Sequence, residues 1–384
     1  MRIFLIARGY PSQKDPQWGC FEKDQAEALR KAGHEVVVLS VDTRFRWYYR
    51  PLGITHRVIN GIHIYDYFLI PGAITGLLGK RVNMRVKNMQ FRRLFKHVSC
   101  IHGLPDVLYA QFLVVINLAL PIHLQYNIPL VGVEHWSEMG KEIVKPEVIE
   151  LAKKTYPHVN QLITVSESLK NNIKKWVGTD AVVVHNVIGK EFTFQPNADP
   201  HPLTFVTIGS LIHRKGFDLL IEALHRVNRQ LPEGWQCNII GGGEKQAELQ
   251  QQIDQAQLQE HIHLVGQKNK QEIVQLLQQS DVFVLPSRGE NFSVAVLEAL
   301  ACGLPVIASI CGGIRECIEE HNGLLFPVDD TEALANAILH MATHLSNYDC
   351  QAIAADCQAR FSPEVIARKL TDIFDKVLAD NAIQ

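Results

Sequence analysis

The feature that most constrains the fold is an alternation of short apolar runs with segments of helical periodicity along nearly all of the 384 residues. Continuous apolar runs of this length are typical of strands covered on both faces by helices. Such alternation predicts parallel sheets built from βαβ units. The predicted strands are Ile3–Ala7, Val36–Leu39, Pro129–Val133, Gln161–Val165, Thr204–Ile208, Cys237–Ile240, His261–Val265, Asp281–Leu285 and Pro305–Ala308.

These units predict two doubly wound, Rossmann-like α/β domains that face a cleft. The segment 192–202 contains Pro196, Pro200 and Pro202 and is typical of a linker. We therefore expect a first domain at 1–190, a second at 203–361 and an amphipathic helix at 362–384. Ligands of open α/β sheets bind beyond the carboxyl ends of the strands, so the loops that follow strands are expected to carry the function.

Composition excludes several classes of protein. With 47% hydrophobic and 20% charged residues the chain is globular, and a net charge of -2 argues against nucleic-acid binding. Eight cysteines form no Cys-x-x-Cys pair and no zinc spacing, which predicts reduced thiols in the cytoplasm. The apolar core of the first residues is too short for a signal peptide, and no window of 18 apolar residues predicts a membrane-spanning helix.

The strongest functional pattern is a pair of glutamates, Glu290 and Glu298, around the start of a predicted helix that follows the strand 281–285. A helix start offers free backbone N–H groups and a positive dipole end, which suit a phosphate. A carboxylate close to it can accept hydrogen bonds from a sugar diol. The alternatives are a helix-capping acid for Glu290 and an exposed helix residue for Glu298.

Three further loops follow predicted strands. Arg214 and Lys215 lie next to each other at a helix start and suit an anion such as a diphosphate, the alternative being a solvated basic loop. His135 follows a strand of the first domain, where a functional and a purely structural histidine are about equally expected. Gly19, in the first strand–helix loop, would let a ligand approach the backbone closely, or is an ordinary turn glycine.

Together these residues resemble a known family, the retaining glycosyltransferases of family four (glycosyltransferase group 1, glycogen-synthase-like), which use nucleotide sugars and have the GT-B fold. The pair Glu290 and Glu298, followed by Glu-Ala-Leu-Ala-Cys-Gly-Leu-Pro-Val-Ile-Ala at 298–308, is similar to the family's Glu-x7-Glu signature. The stretches 312–316 and 322–326 also resemble family features. The resemblance is densest from Thr204 to Pro327 and implies an acceptor-binding first domain, a donor-binding second domain and a C-terminal helix that packs on the first domain.

By this resemblance, Lys215 would bind the donor diphosphate, Glu298 the ribose hydroxyls and Glu290 the hydroxyls of the donor sugar. His135 matches a first-domain histidine near the sugar, and Gly19 matches a glycine loop that faces the diphosphate. Glu290, His135 and Lys215 are thus the predicted catalytic residues. Other expected donor-binding positions are Ser210, Arg214, Gln267, Arg288, Asn291, Phe292, Ser293 and Val294.

Three positions depart from the family pattern. The family often has Gly-Arg where this chain has Gly209-Ser210, so Arg214 or Arg288 would have to replace the usual diphosphate arginine. Ser293 stands where a glycine is common, and the first loop has one glycine rather than two. These departures concern the details of phosphate contact.

The chemistry predicted from these residues needs no metal and no cofactor other than the donor itself. No Asp-x-Asp pair occurs in the chain, so a metal that bridges the diphosphate has no obvious ligands. Arg and Lys at helix starts can stabilise the charge that grows on a departing nucleoside diphosphate. We expect transfer to a sugar, lipid-linked or polysaccharide acceptor, with retention implied by the resemblance and no protein nucleophile assigned.

A basic segment at 44–97 suggests a second partner. From Thr43 to Pro105 the chain has eleven Lys and Arg residues and a single acid, Asp66. Apolar and aromatic residues interleave with these bases, a pattern that favours anionic membrane surfaces. The hypothesis is peripheral attachment to the inner face of the membrane, and the alternative is a solvated helix face that packs on the sheet.

Three other functions compete with glycosyl transfer. A two-domain nucleotide-sugar epimerase would not need an acceptor. A non-catalytic nucleotide-sugar sensor would keep the site without turnover. A dinucleotide-dependent oxidoreductase is disfavoured because no Gly-x-Gly-x-x-Gly follows the first strand and Gly241-Gly242-Gly243 lacks the third glycine at that spacing.

Overall fold

The structure is a computed structural model that describes residues 1–15, 18–44, 49–69, 79–141, 143–196 and 201–383. Parts of two sequence predictions, 45–48 and 70–78 of the basic segment and 197–200 of the linker, lie outside these residues. The chain divides into two compact units. Unit 1 comprises Met1–Val165, Lys170–Val187 and Pro363–Gln384, and unit 2 comprises Ser166–Leu169 and Ile188–Ser362.

Within the described residues, unit 1 contains an eight-stranded sheet with the order β3-β4-β2-β1-β5-β6-β7-β8. Its strands are β1 (Arg2–Ala7), β2 (Glu35–Val41), β3 (Gly53–Ile59), β4 (Ile62–Phe68), β5 (Val107–Gln111), β6 (Leu130–Glu134), β7 (Gln161–Thr164) and β8 (Val182–Val183). The helices that follow them along the chain are α1 (Cys20–Lys31), α2 (Lys80–His102), α3 (Leu113–Tyr126), α4 (Pro146–Thr155) and α5 (Glu167–Val177). Strand β1 is buried at every residue after Arg2, as its continuous apolar sequence predicts. Strand β5, which was not predicted from the sequence, is buried along its whole length.

One strand of unit 1 breaks the predicted parallel pattern. Strand β3 pairs antiparallel with β4, so the sheet is mixed. The two strands are joined at Asn60 and Gly61, which have φ values of 51° and 75°. Asn-Gly with positive φ at both positions is the favoured two-residue hairpin turn. The antiparallel hairpin is an addition to the predicted parallel sheet that the sequence analysis did not identify, although its turn signal is present at Asn60-Gly61.

Unit 2 contains, within the described residues, a six-stranded sheet with the order β11-β10-β9-β12-β13-β14. Every pairing recorded in it is parallel. Its strands are β9 (Thr204–Ile208), β10 (Gln236–Ile240), β11 (Ile262–Gly266), β12 (Val282–Leu285), β13 (Val306–Ser309) and β14 (Gly323–Phe326). Its helices are α6 (Phe217–Val227), α7 (Gln246–Gln255), α8 (Lys270–Gln278), α9 (Val294–Ala301), α10 (Thr331–His344) and α11 (Cys350–Phe361).

The order of strands in unit 2 is that of a doubly wound, dinucleotide-binding type of sheet, in which the first strand is central and the order reverses beside it. The reversal falls between β9 and β12, which are hydrogen-bonded neighbours. Two doubly wound α/β units were predicted, and the fold class is confirmed. Ligands of such sheets bind at the point where the strand order reverses, so the loops after β9 and β12 are the first place to examine.

The last helix, α12 (Pro363–Ile383), belongs to unit 1. Its Phe374 side chain is fully buried and lies with its ring 5.1 Å from that of Tyr109 in β5. Thr371 forms a hydrogen bond of 2.8 Å with His34, and Glu364 forms an ion pair with Lys31 of α1. The apolar stripe of this helix therefore completes the core of unit 1.

Candidate active site

The loops after β9 and β12 bring together a compact group of charges in unit 2. The Lys215 Nζ atom lies 2.6 Å from Oε1 of Glu290, and an Arg214 guanidinium nitrogen lies 3.5 Å from Oε2. Ser287 donates a hydrogen bond of 2.8 Å to the same carboxylate. With two cations around one carboxylate, the group has a net charge of +1 and can attract an anion.

This ion pair is largely withdrawn from water. The side chains of Lys215 and Glu290 are 13% and 10% exposed. Burial alone would raise the pKa of the Glu290 carboxyl, but the charges of Lys215 and Arg214 outweigh burial and hold that pKa below its ordinary value. Glu290 is therefore ionised at neutral pH.

Two glycines allow the loops to approach this closely. Gly216 has φ 67°, and a Cβ atom there would lie 1.9 Å from the carbonyl oxygen of Pro286. Gly312 has φ 53°, and a Cβ atom there would lie 1.7 Å from the carbonyl oxygen of Glu290. Backbone therefore packs directly on backbone at both positions, which only glycine permits without displacement of the loop.

Arg288 connects the two loops instead of pointing a free charge at a ligand. Its guanidinium nitrogens lie 2.9 and 2.7 Å from the carboxylate oxygens of Asp218 and 2.6 Å from Asp329, and it donates to the carbonyl oxygen of His213. Arg214 donates to the carbonyl oxygen of Gly289 and is 37% exposed. Arg214 and Arg288 were the two candidates for a diphosphate-binding arginine. Arg288 is engaged by two carboxylates, so Arg214 is the better candidate.

Helix α9 begins at Val294, immediately after the loop that contains Glu290. Ser293 is its N-cap residue and makes no side-chain capping hydrogen bond. Asn291 accepts a hydrogen bond of 3.0 Å from the N–H group of Gly313, and Phe292 is buried against Phe361. The loop before this helix is therefore held by a backbone hydrogen bond between Asn291 and Gly313 and by the packing of the Phe292 ring on Phe361.

Other predicted donor positions lie around the same edge of the sheet. Glu298 is the fifth residue of α9 and is partly exposed. Ser210 and Gln267 are exposed in the loops after β9 and β11. The Gln267 side chain lies against Gly242, where a Cβ atom would meet it at 3.1 Å.

His135 lies in unit 1, directly after β6. Its Nε2 atom is 2.7 Å from Oε1 of Gln111, and its Nδ1 atom is 3.2 Å from the side-chain oxygen of Asn186. The ring stacks on Phe21 at 6.3 Å. Burial, reinforced by the nearby charge of Arg8, lowers the pKa of His135 to about 3, so the imidazole is neutral at physiological pH.

The residues that position His135 were not found from the sequence. Glu134 is fully buried and accepts hydrogen bonds from the N–H groups of Leu113 and Trp136, at 2.9 and 2.6 Å, and from Tyr156. Gln111 donates to Gln25 at 2.6 Å. In the sequence, Glu134 and Gln111 can be recognised only as polar residues at the ends of apolar strands. That position does not show which side chains they contact.

Removal of the His135 side chain is expected to change the pH dependence of stability. A histidine with its pKa lowered from 6.5 to about 3 binds fewer protons in the folded state, so stability is lost as pH falls below 6.5. The loss is at most about 1.4 kcal/mol per pH unit. We expect His135→Asn to make the free energy of unfolding of unit 1, measured in urea at pH 7, 6 and 5, depend less steeply on pH than in the wild type. The exposed His158→Asn is the control, and equal slopes in all three proteins would contradict this assignment.

Gly19 has the structural role that the sequence analysis gave as its alternative, that of a turn glycine. It has φ 83°, and a Cβ atom there would lie 2.3 Å from the carbonyl oxygen of Gly9. The first loop is further held by a salt bridge of 2.9 Å between Arg8 and the buried Glu22. The close backbone approach seen at Gly19 is therefore to its own loop, and contact with a ligand stays a prediction.

The described part of the basic segment forms helix α2 and the strands around it. None of the helices in the described ranges combines the length and apolar character needed to cross a bilayer. The solvent-exposed positions of α2 repeat every three or four residues and so form one face: Arg85, Met89, Arg92, Arg93, Lys96, His97, Cys100 and Ile101. This face is mainly basic, while Phe91, Leu94 and Phe95 are buried.

Comparison with known proteins assigns the family. Residues 189–344 match the family described as glycosyl transferases group 1, and residues 23–192 match glycosyltransferase family 4. The amylovoran biosynthesis glycosyltransferase AmsK of Erwinia amylovora is 29% identical in an alignment of 255 positions that covers 62% of this chain and 62% of that protein. The chain spans between about a half and two thirds of the length of the first curated relatives that it matches.

Solved structures share the fold across almost the whole chain. Sucrose-phosphate synthase from Thermosynechococcus elongatus has a TM-score of 0.79 and 21% identity, with 99% of this chain and 100% of that chain covered. Anabaena HepE in complex with UDP and glucose has a TM-score of 0.72 and 19% identity, with 98% and 100% covered. The chain therefore belongs to the family-four glycosyltransferases of group 1 and has their GT-B fold.

Proposed function

We propose that this protein transfers a sugar from a nucleoside diphosphate sugar to a sugar, lipid-linked or polysaccharide acceptor, with retention of configuration and without a metal ion. The observation that carries the proposal is the net positive group of Lys215, Arg214 and Glu290 at the point in unit 2 where the strand order reverses. That AmsK is named for the biosynthesis of amylovoran supports a role in polysaccharide assembly.

The two cations support the chemistry of the leaving group. As the bond between the anomeric carbon and the diphosphate oxygen breaks, negative charge grows on that oxygen. Positively charged groups held in a largely dry site stabilise such charge without reorganisation. Lys215 and Arg214 would supply this stabilisation, and the acceptor hydroxyl would give its proton to the departing diphosphate as its oxygen bonds to the anomeric carbon.

The carboxylates would orient the donor. Glu290 is ionised and would accept hydrogen bonds from sugar hydroxyls, while Glu298 would hold the ribose hydroxyls. The backbone from Asn291 to Val294 would face the phosphate and sugar at the helix start. The neutral His135 of unit 1 would contribute near the sugar. Retention rests on the family, and no side chain is assigned as a nucleophile.

The alternatives raised by the sequence are an epimerase and a non-catalytic sensor. The family membership and the intact charged group do not favour either of them. Product analysis with donor alone distinguishes an epimerase, which converts the donor without an acceptor. A sensor would show no turnover. Sugar transfer by the wild type that is lost in Glu290→Ala would therefore identify the protein as an enzyme.

Donor binding is tested by thermal unfolding with UDP, GDP, ADP and CMP in the absence of metal. UDP comes first because HepE binds it. A nucleotide at 100 times its dissociation constant stabilises the folded state by about 2.7 kcal/mol. For units of this size we expect an increase in Tm on the order of 5–10 °C with one diphosphate.

Glu298→Ala should abolish that increase, since the ribose hydroxyls lose their acceptor. Glu260→Ala is the matched control, because Glu260 is exposed near the opposite, amino-terminal end of β11. No increase in Tm with any nucleotide, or the same increase in Glu298→Ala, would contradict the proposed donor site.

We also propose that the basic face of α2 attaches the protein to an anionic membrane surface on its cytoplasmic side. Each basic residue near such a surface contributes about 1 kcal/mol. Arg92→Glu together with Arg93→Glu should therefore lower the affinity for phosphatidylserine vesicles by about thirtyfold or more, measured by co-sedimentation at low salt. The matched control is the exposed pair Arg368→Glu with Lys369→Glu on α12. Absence of vesicle binding in the wild type, or equal losses in both pairs, would overturn the attachment.

A further inference from the structure

Two neighbouring cavities open at the carboxyl edge of the unit 1 sheet, and both are lined in part by residues of the basic segment 44–97. A polar cavity of about 290 Å³ lies around the ends of β1, β2 and β4. An apolar cavity of about 240 Å³ lies between the ends of β1 and β2 and the helices α2 and α3. Both are lined by Trp18 and Asp42, so this pair of side chains forms the wall between them.

The apolar cavity has a hydrocarbon lining with cations beside it. Its apolar wall is made by helix residues of α2 and α3 and by aromatic side chains, among them Met84, Val115, Leu118, Phe112 and Trp136. Its cations are Arg8, Arg44 and Lys87. A cavity that is apolar on one side and cationic on the other matches an amphiphile whose anionic group adjoins an alkyl chain.

The three cations differ in how far their charges are already compensated. Arg8 forms its salt bridge with Glu22 and lies 3.5 Å from the ring centroid of Phe112. Arg44 forms a two-point pair with Asp42, at 2.9 and 2.8 Å. Both are therefore neutralised within the protein.

Lys87 differs from these two arginines. Within the described ranges it has no ion pair and no hydrogen bond, although it is partly buried. Burial lowers the pKa of its ammonium, and the charge of Asp42 opposes this. Asp42 is shared by Arg44 and Arg50. A half-buried ammonium without its own partner, next to an apolar wall, is a site for an anion that the protein does not itself provide.

The apolar wall continues outward from this cavity. Asn117 of α3 contacts the Met84 sulfur at 3.9 Å, and beyond this contact a groove of about 540 Å³ runs between α2 and α3. One side of the groove is apolar, with Leu120, Pro121 and the 67% exposed Leu124, and the rest is lined by Asn88, Arg92, Asn117 and Gln125. A hydrocarbon chain that starts beside Lys87 would pass the contact between Asn117 and Met84 and continue along the apolar side of this groove.

The polar cavity has the groups expected of a carbohydrate site. Tyr10, Tyr49 and Phe68 provide aromatic faces, and Asp66 and Arg57 provide hydrogen-bonding groups. Tyr10 is 5% exposed and lines the cavity with its ring, since its hydroxyl oxygen is buried away from the cavity surface.

We propose that the acceptor is a phosphate-bearing, lipid-linked sugar, with its phosphate on Lys87, its hydrocarbon chain in the groove between α2 and α3, and its sugar in the polar cavity beyond Trp18. This inference rests on the proposed glycosyltransferase function, because it names the acceptor for that reaction. Lys87 is a specificity-determining residue here and has no part in the bond-making steps.

Calorimetric titration of the full chain, without nucleotide, tests the inference by binding alone. The probe is decyl phosphate below its micellar concentration, compared with decyl glucoside and with inorganic phosphate. We expect one site for decyl phosphate, at least about tenfold tighter than decyl glucoside, and no detectable binding of inorganic phosphate. A charged hydrogen bond of this kind changes affinity by about 10–100-fold.

Lys87→Met keeps an apolar side chain of similar length but removes the charge, and it should lower the affinity for decyl phosphate by about 10–100-fold. Lys87→Arg keeps the charge and should retain most of the affinity. Lys376→Met, at an exposed position of α12, is the matched control and should bind like the wild type. Equal affinity for decyl glucoside, binding of inorganic phosphate at the decyl phosphate site, or an equal loss in Lys376→Met would each overturn the inference.

The two proposals fail separately. If decyl phosphate binds as expected but no nucleotide raises Tm, the transferase proposal fails and the amphiphile site stands without a reaction. If a nucleotide raises Tm but decyl phosphate does not bind through Lys87, the donor site stands and the acceptor is of another class.

Discussion

Lys215→Met is expected to slow sugar transfer by about 10²–10³-fold, the range seen when one preorganised charge-stabilising group is removed from an active site. The Lys215 ammonium lies 2.6 Å from Glu290 in a site where both side chains are mostly buried. Removal of the ammonium lowers the charge of the group from +1 to neutral, and it leaves only Arg214 to stabilise the leaving diphosphate. The measurement is kcat and KM for transfer under saturating acceptor.

The same substitution is expected to reduce stability. A buried carboxylate that loses its partner costs about 3–5 kcal/mol, and Arg214 at 3.5 Å moderates this loss. Glu290→Gln added to Lys215→Met removes the unpaired charge and should recover much of the free energy of unfolding without recovery of activity. A double variant as unstable as Lys215→Met, or one that regains transfer, would contradict the assigned roles.

Gly312→Ala is expected to abolish donor binding and to lower the free energy of unfolding of unit 2 by about 1–3 kcal/mol, because the added methyl group is both strained and sterically blocked. A Cβ atom at this position would lie 1.7 Å from the carbonyl oxygen of Glu290, and φ is 53°. Since the contact is with backbone, no rotamer change relieves it. The loop that contains Glu290 must move, and the carboxylate then leaves Lys215.

Gly289→Ala is the matched control for this prediction. It lies in the same loop, yet a Cβ atom there would meet nothing within 4 Å. We expect wild-type Tm and wild-type nucleotide binding in this variant. Loss of binding in Gly289→Ala, or its retention in Gly312→Ala, would show that the loop contact is not what holds the carboxylate in place.

Local patterns in the sequence were sufficient for most strands. The strand Thr204–Ile208 was predicted with its observed bounds, and the others of unit 2 were found within one residue, apart from β14. A strand that is buried on both faces has a continuous apolar sequence, so its position can be recognised from contiguous residues alone. The hairpin at Asn60-Gly61 was missed although its turn signal is equally local, because alternation with helices had suggested only parallel strands.

Charged residues could be nominated from the sequence but not paired. Lys215 and Glu290 were each chosen because they follow a strand at a helix start. Arg288 was nominated for the diphosphate on the same basis, and the structure shows it engaged by Asp218 and Asp329. The partners of a charge are set by which loops meet, and periodicity contains no information about that.

The sequence by itself determined the α/β class, two doubly wound units and the family, because strand and helix periodicities and the Glu-x7-Glu spacing are properties of contiguous residues. Only the tertiary structure decided that β9 lies beside β12, and this adjacency brings Lys215 onto Glu290 across 75 positions of sequence. It also decided that Gly312 packs on the Glu290 backbone and that Lys87, which forms no ion pair within the described residues, faces an apolar cavity. The physical reason is that burial of a strand or helix shows in its own contiguous residues. The contacts that set the charge state and pKa of a side chain form only when loops far apart in sequence meet at one edge of a sheet.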